Sequence, residues 1–184
     1  MSRWKRAVGF AAGKAVLAWA RVQGVAGRPL SDRERAVLEP IYAGAVDYDA
    51  VRLCESIGGV LNVSRRAYVI EQRIFVPPGF SPLPRAVLIH EVCHVWQYQH
   101  GGHAYIADSL QAQLIGEGYD LARALSAGRR WPQLNCEQQA TLLEEGFLQG
   151  SFGGQPFVFR GVDYTPVFED AVSALRRGEG ASFR

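Results

Sequence analysis

The spacing of apolar residues divides this chain into short segments with recognisable ends. Ser31 followed three residues later by Glu34 has the form of a capping box and predicts a helix over residues 32–42. A strand is expected around Val51, Arg52 and Leu53. Residues 67–76, rich in β-branched and aromatic side chains, read as one extended segment stopped by Pro77 and Pro78. The next helix has clear limits: Ser81 is placed to cap it, Pro82 suits its first turn, and Gly101 and Gly102 close it. Ile106, Leu110, Leu114, Leu121 and Leu125 predict a further helix over 105–125, weakened at Gly116 and Gly118. Another begins near Asn135 and runs through Leu143 to Phe147. A short extended piece at Phe157, Val158 and Phe159 follows, then a helix opened by Thr165 and Pro166, and a loose tail from Gly178. These elements predict an α+β fold, helix-rich with a small mixed sheet beside the helix of residues 81–101, in one domain over residues 29–184.

Residues 1–28 are expected to be a separate amphipathic helical segment. Its basic start and the apolar residues after it resemble a signal peptide, but Lys14 and Arg21 leave no uncharged run long enough for a membrane span. Packing on the body is the expected state, with contact to a membrane surface as the alternative. The chain's 184 residues suit one core, and 48% hydrophobic with 21% charged residues is the balance of an ordinary globular protein. A formal net charge of +2 gives no concentrated basic surface, so nucleic acid is not an expected partner. Cys54, Cys93 and Cys136 are odd in number and lack CxxC spacing, so they read as small buried residues. That usage fits a reducing compartment, and hence a protein that is cytoplasmic as synthesised.

The chemistry concentrates in His90-Glu91-Val92-Cys93-His94. Histidines four apart on a helix share a face, about 6 Å from each other, and both imidazoles reach one metal ion. Glu91, one position after the first histidine, falls beside that ion, where a general base must stand. Two imidazoles suit Zn2+, and a catalytic zinc site takes three protein ligands and keeps one position open. Cys93 points away from the histidine face.

The third ligand must come from downstream. His100 and His103 follow too soon and without the glycine of the HExxHxxG pattern, so roles near the substrate suit them better. Glu117, between Gly116 and Gly118, and Glu137, at the start of a helix, both fit the two-histidine, one-glutamate solution. Glu137 is preferred, because Ala140 three residues on allows its helix to approach the motif helix closely.

The residues Leu88-Ile89-His90-Glu91-Val92-Cys93-His94-Val95-Trp96-Gln97, Glu117-Gly118-Tyr119-Asp120 and Asn135-Cys136-Glu137-Gln138-Gln139-Ala140 resemble those of zincin-like bacterial metallopeptidases described as Vgr-related or Rhs-associated. The resemblance spans about residues 30–150. It implies a gluzincin-type site in which the glutamate of the later motif, Glu137, is the third ligand. It also implies that the extended segment before the motif is the edge strand that pairs with a peptide substrate. Relatives of this kind are linked to secretion machinery and toxins, which implies a secretion-system partner and export by that system.

The expected activity is zinc-dependent hydrolysis of a peptide bond in a peptide or protein substrate, with Glu91 activating water. Tyr105, Tyr119, His100, His103 and Tyr164 are candidates for contact with the substrate or the developing oxyanion. The rival expectation is a catalytically silent zinc-binding adaptor. Glu91 favours the enzyme, since a closed structural zinc site has no use for a carboxylate beside an open position.

Overall fold

The structure is a computed structural model and describes residues 27–55, 67–77, 79–102 and 120–181. The expected N-terminal segment lies outside them apart from Gly27 and Arg28, as does most of the helix expected over 105–125. Among the described residues no helix is long and apolar enough to cross a membrane.

Helix α1 (Asp32–Tyr42) begins where its capping box predicts: the Ser31 hydroxyl accepts from the Glu34 backbone N–H at 3.3 Å, and Glu34 Oε2 accepts from the Ser31 N–H at 2.7 Å. Its last carbonyls are taken up by Arg176, whose Nε donates to Ile41 O at 3.2 Å. Strands β1 (Arg52–Glu55), β2 (Tyr68–Ile70) and β3 (Arg73–Val76) form a mixed sheet in the order β1-β3-β2. β1 runs parallel to β3, with Leu53 opposite Ile74, and β2 runs antiparallel to β3, with Val69 opposite Ile74. The segment read as one extended stretch is therefore a hairpin. Its polar pair Glu71-Gln72 turns the chain, with Glu71 at φ 58°, between two apolar runs that each suit a strand.

Helix α2 (Arg85–Gly101) carries the motif and starts later than its proline signals predict. Ser81 does not cap it. Leu83 precedes Pro84 and is thereby kept out of the helical region, so the first turn forms only after Pro84, whose carbonyl accepts from the Leu88 N–H at 2.9 Å. Its end falls as expected, with Gly102 at φ 68° and its N–H on Tyr98 O at 2.8 Å. From Leu88 to Gln97 every residue of α2 except His90 is buried, so α2 is a central helix rather than a surface one. Two buried bonds set its position: the Tyr42 hydroxyl donates to Ile89 O at 2.6 Å and the Trp96 indole N–H donates to Leu175 O at 3.1 Å.

Helix α3 (Leu121–Ser126) is capped by Asp120, and helix α4 (Cys136–Leu148) by Asn135 in a capping box with Gln138. α4 packs along α2, with Ala140 fully buried as the close approach requires. A two-stranded hairpin, β4 (Val158–Phe159) and β5 (Val162–Asp163), turns through Arg160 and Gly161, both at positive φ. Helix α5 (Thr165–Arg176) buries Phe168, Ala171, Val172 and Leu175. The observed architecture is the expected α+β one, helix-rich around a small mixed sheet. The tail from Gly178 is not loose: Glu179 O accepts from the Trp131 indole at 2.8 Å, Gly180 O accepts from Gln139 at 3.0 Å, and Ala181 is buried. Gly101 makes this possible, since a Cβ there would stand 2.2 Å from Ala181 O.

Candidate metal centre

Where α2 crosses the start of α4, three side chains converge. His90 and His94 stand one turn apart on α2, with ring centroids 5.1 Å apart and planes at 78°. Glu137, in the first turn of α4, brings Oε2 to 3.5 Å from His90 Nε2 and 3.6 Å from His94 Nε2. The ligating atoms of the three residues all lie within 4.8 Å of one another. These separations are long for hydrogen bonds. They match instead the spacing of about 3.4 Å between ligands held at 2.0–2.2 Å around a tetrahedral ion.

Charge points the same way. Glu137 is 1% exposed and Glu91 6%, and the Glu91 Oε2 atom is buried with no hydrogen-bond partner. Burial pushes the Glu91 carboxyl up from its ordinary pKa, against the pull of His94 and His90. For His90, burial opposes the charged form, but Glu137 and Glu144 outweigh it and raise the pKa; for His94, burial is outweighed in the same way by Glu137. Among the described residues three carboxyl groups stand around the two imidazoles, an acidic setting that could hold a divalent cation between the two histidines and Glu137. The donor set, two imidazoles and one carboxylate, suits zinc.

The outer nitrogens of both rings are also held. His90 Nδ1 lies 3.0 Å from Glu144 Oε2, and His94 Nδ1 lies 2.8 Å from Gln97 Oε1. Neither Glu144 nor Gln97 was among the site residues expected from the sequence. Glu144 follows Glu137 by seven residues, two turns of α4, and so shares its face; Gln97 follows His94 by three on α2. Both spacings are visible in the sequence, but only the packing of α2 on α4 turns them into contacts.

Other candidates fall elsewhere. His100 sits at the far end of α2, where its Nε2 faces Ala45 O at 2.8 Å and its ring packs 5.1 Å from Trp96. There it lines a separate cleft of about 490 Å3 beside Ala45, Asp47 and Tyr98. Tyr164 packs against the core at the start of α5, its N–H on Phe157 O at 2.8 Å. His103, Tyr105, Glu117 and Tyr119 lie outside the described residues. The three cysteines are buried, as expected, and none is in a disulfide.

No family model matches the chain. Over 142 aligned residues it is 29% identical to the type VI secretion system spike protein VgrG2b of Pseudomonas aeruginosa, a match that covers 71% of this chain and 14% of that protein. The solved effector domain of Pseudomonas aeruginosa VgrG2b shares the fold, with a TM-score of 0.51 over 79% of this chain and 89% of that domain, at 24% identity. The Vgr-related resemblance thus has a counterpart in both sequence and fold.

Proposed function

We propose that this chain is a zinc-dependent peptide-bond hydrolase of gluzincin type, with Zn2+ held by His90, His94 and Glu137. The observation that carries the reading is Glu91: a buried carboxyl oxygen without a partner, next in sequence to a histidine of a convergent donor set. Zinc bound there supplies Lewis acidity, making water acidic enough to lose a proton near neutral pH and polarising a neighbouring carbonyl. Glu91 Oε2 accepts the proton from water as the water oxygen bonds to the peptide carbonyl carbon. Glu91 then returns a proton to the amide nitrogen as the C–N bond breaks. Burial favours both halves of this shuttle, because it raises the proton affinity of Glu91 towards that of a useful base.

The likeness to VgrG2b supports a biological setting: an effector module made in the cytoplasm, exported through a type VI secretion system, and acting on a peptide or protein substrate. That match spans 14% of the spike protein's length. Substitution Glu91→Gln tests the chemistry. The variant is expected to bind zinc stoichiometrically while losing cleavage of an unstructured peptide library by about 10²–10⁴-fold. Wild-type protein that binds zinc yet cleaves no member of the library would instead be a zinc-binding adaptor.

A further inference from the structure

We propose that Gln97 and Gln139 form an amide relay that fixes which ring nitrogen of His94 faces the metal position, and that the relay takes its direction from the backbone carbonyls of Cys136, Trp131 and Gly180, the last in the strap of residues 178–181. This deepens the metal-site reading above and rests on it.

Trp131 O and Gly180 O are backbone carbonyls and can only accept. Both face the side-chain nitrogen of Gln139, at 2.9 and 3.0 Å, so the Gln139 amide must present its NH2 to them. Its oxygen is thereby turned to Gln97, whose Nε2 donates to it at 3.1 Å. The same Gln97 nitrogen donates to Cys136 O at 2.9 Å, which occupies its second hydrogen. Gln97 Oε1 is left facing His94 Nδ1 at 2.8 Å and can only accept, so Nδ1 carries the hydrogen. His94 Nε2, on the side of Glu137, is then the nitrogen left to meet a metal ion.

Reversing either amide would set N–H against N–H, or oxygen against oxygen, at several points at once. Gln97 and Gln139 are both fully buried, so solvent has no room to repair such a fault. His90 is held differently. Its Nδ1 meets the partly exposed carboxylate of Glu144, which accepts in either orientation and needs no relay. The strap end of the relay is also shaped for the task. Gly180 lies at φ +87°, and a Cβ there would stand 2.6 Å from the Trp131 ring, while the Trp131 indole N–H is spent on Glu179 O. Backbone carbonyls at Cys136, Trp131 and Gly180 thus jointly set the direction of a histidine on the central helix.

The test uses the whole chain with 15N-labelled histidine, observed by NMR without metal and with Zn2+. His94 is expected to show a slowly exchanging Nδ1 proton in both states and to bind zinc through Nε2. Gln97→Met, similar in shape but without the acceptor oxygen, is expected to lose that slow exchange and to bind Zn2+ about 10–100-fold more weakly in competition with a chromophoric chelator. Gln139→Met, one step removed from the ring, is expected to shift both readouts in the same direction by less. A wild-type His94 whose Nδ1 carries no hydrogen overturns the relay even if the variants fail to fold. So do folded variants that bind Zn2+ as tightly as wild type. Wild-type protein that binds no zinc sinks the metal-site reading instead, while the exchange of the Nδ1 proton still decides the relay.

Discussion

Two glutamates in the first turns of two helices show how differently the same side chain is used. Glu34, in α1, meets a full set of donors: both terminal nitrogens of Arg28 at 2.7 and 2.8 Å, the Ser31 backbone N–H at 2.7 Å and the Ser31 hydroxyl at 2.8 Å. Hydrogen bonding to Arg28 leads the effects that hold its carboxyl down to about 2, burial opposing. Glu137, in α4, lies deeper and faces two imidazole nitrogens at distances too long for good hydrogen bonds, with the Glu91 carboxyl nearby. One cluster balances its charge and is complete as built. The other gathers His90, His94 and Glu91, whose pKa values are all displaced by burial and by neighbouring charge, and a buried cluster of perturbed groups is the kind that marks a functional site.

The sharpest way to break the comparison is to neutralise Glu137. Glu137→Gln removes one of the three convergent donors, and zinc affinity measured by chelator competition is expected to fall by more than about 100-fold, beyond the loss typical of an outer partner. Because Glu137 also raises the pKa of both histidines, the same change takes a partner from two buried imidazoles. The thermal midpoint without metal is therefore expected to fall below that of metal-free wild type near neutral pH, by an amount that shrinks as pH rises and the wild-type imidazoles lose their charge. An unchanged zinc affinity in Glu137→Gln would make Glu137 a structural residue like Glu34.

Much of this contrast was visible before folding. Ser31 with Glu34, and Asn135 before α4, announce their helices through local hydrogen bonds, and local signals survive into the fold. The motif spacing places His90, Glu91 and His94 on one helix, and Ala140 marks the close approach that brings Glu137 to them. What escaped depends on contacts distant in sequence. The start of α2 is moved by the restriction Pro84 places on Leu83, against the competing signal at Ser81 and Pro82. The strap from Gly178 to Ala181 looks like a tail because its partners, Trp131, Gln139 and Gly101, lie about 40 to 80 residues earlier in the chain. Glu144, Gln97 and Gln139 are ordinary polar residues on helices until α2 and α4 meet.

A second and smaller effect separates the clusters through Glu91. Its folded-state carboxyl is raised, so above its ordinary pKa of 4.5 the group must either stay charged in the interior or hold a proton against solvent, and both lower the stability of the fold. Glu91→Gln removes this penalty. In denaturant titrations without metal the variant is expected to exceed wild type in stability near pH 7. The difference should shrink as pH falls through the ordinary carboxylate range, where wild-type Glu91 is protonated in both states. A variant less stable than wild type at neutral pH would mean that the Glu91 carboxylate is satisfied in the metal-free fold after all.

Glu34 must show the opposite sign and the smallest size. Its folded pKa of about 2 lies below the ordinary 4.5, so it stabilises the fold above pH 4.5, and that contribution is lost as pH falls from 4.5 towards 2. The pair with Arg28 is partly open to solvent and screened, which limits its worth to about 1 kcal/mol or less. Glu34→Gln is therefore expected to be slightly less stable than wild type at pH 7 and to converge on it in acid, with no change in zinc affinity at either pH. If zinc affinity falls with Glu34→Gln, the two clusters are coupled through α1, and the Tyr42 bond to Ile89 is the contact that would carry the effect, since it joins α1 to α2 one residue before His90.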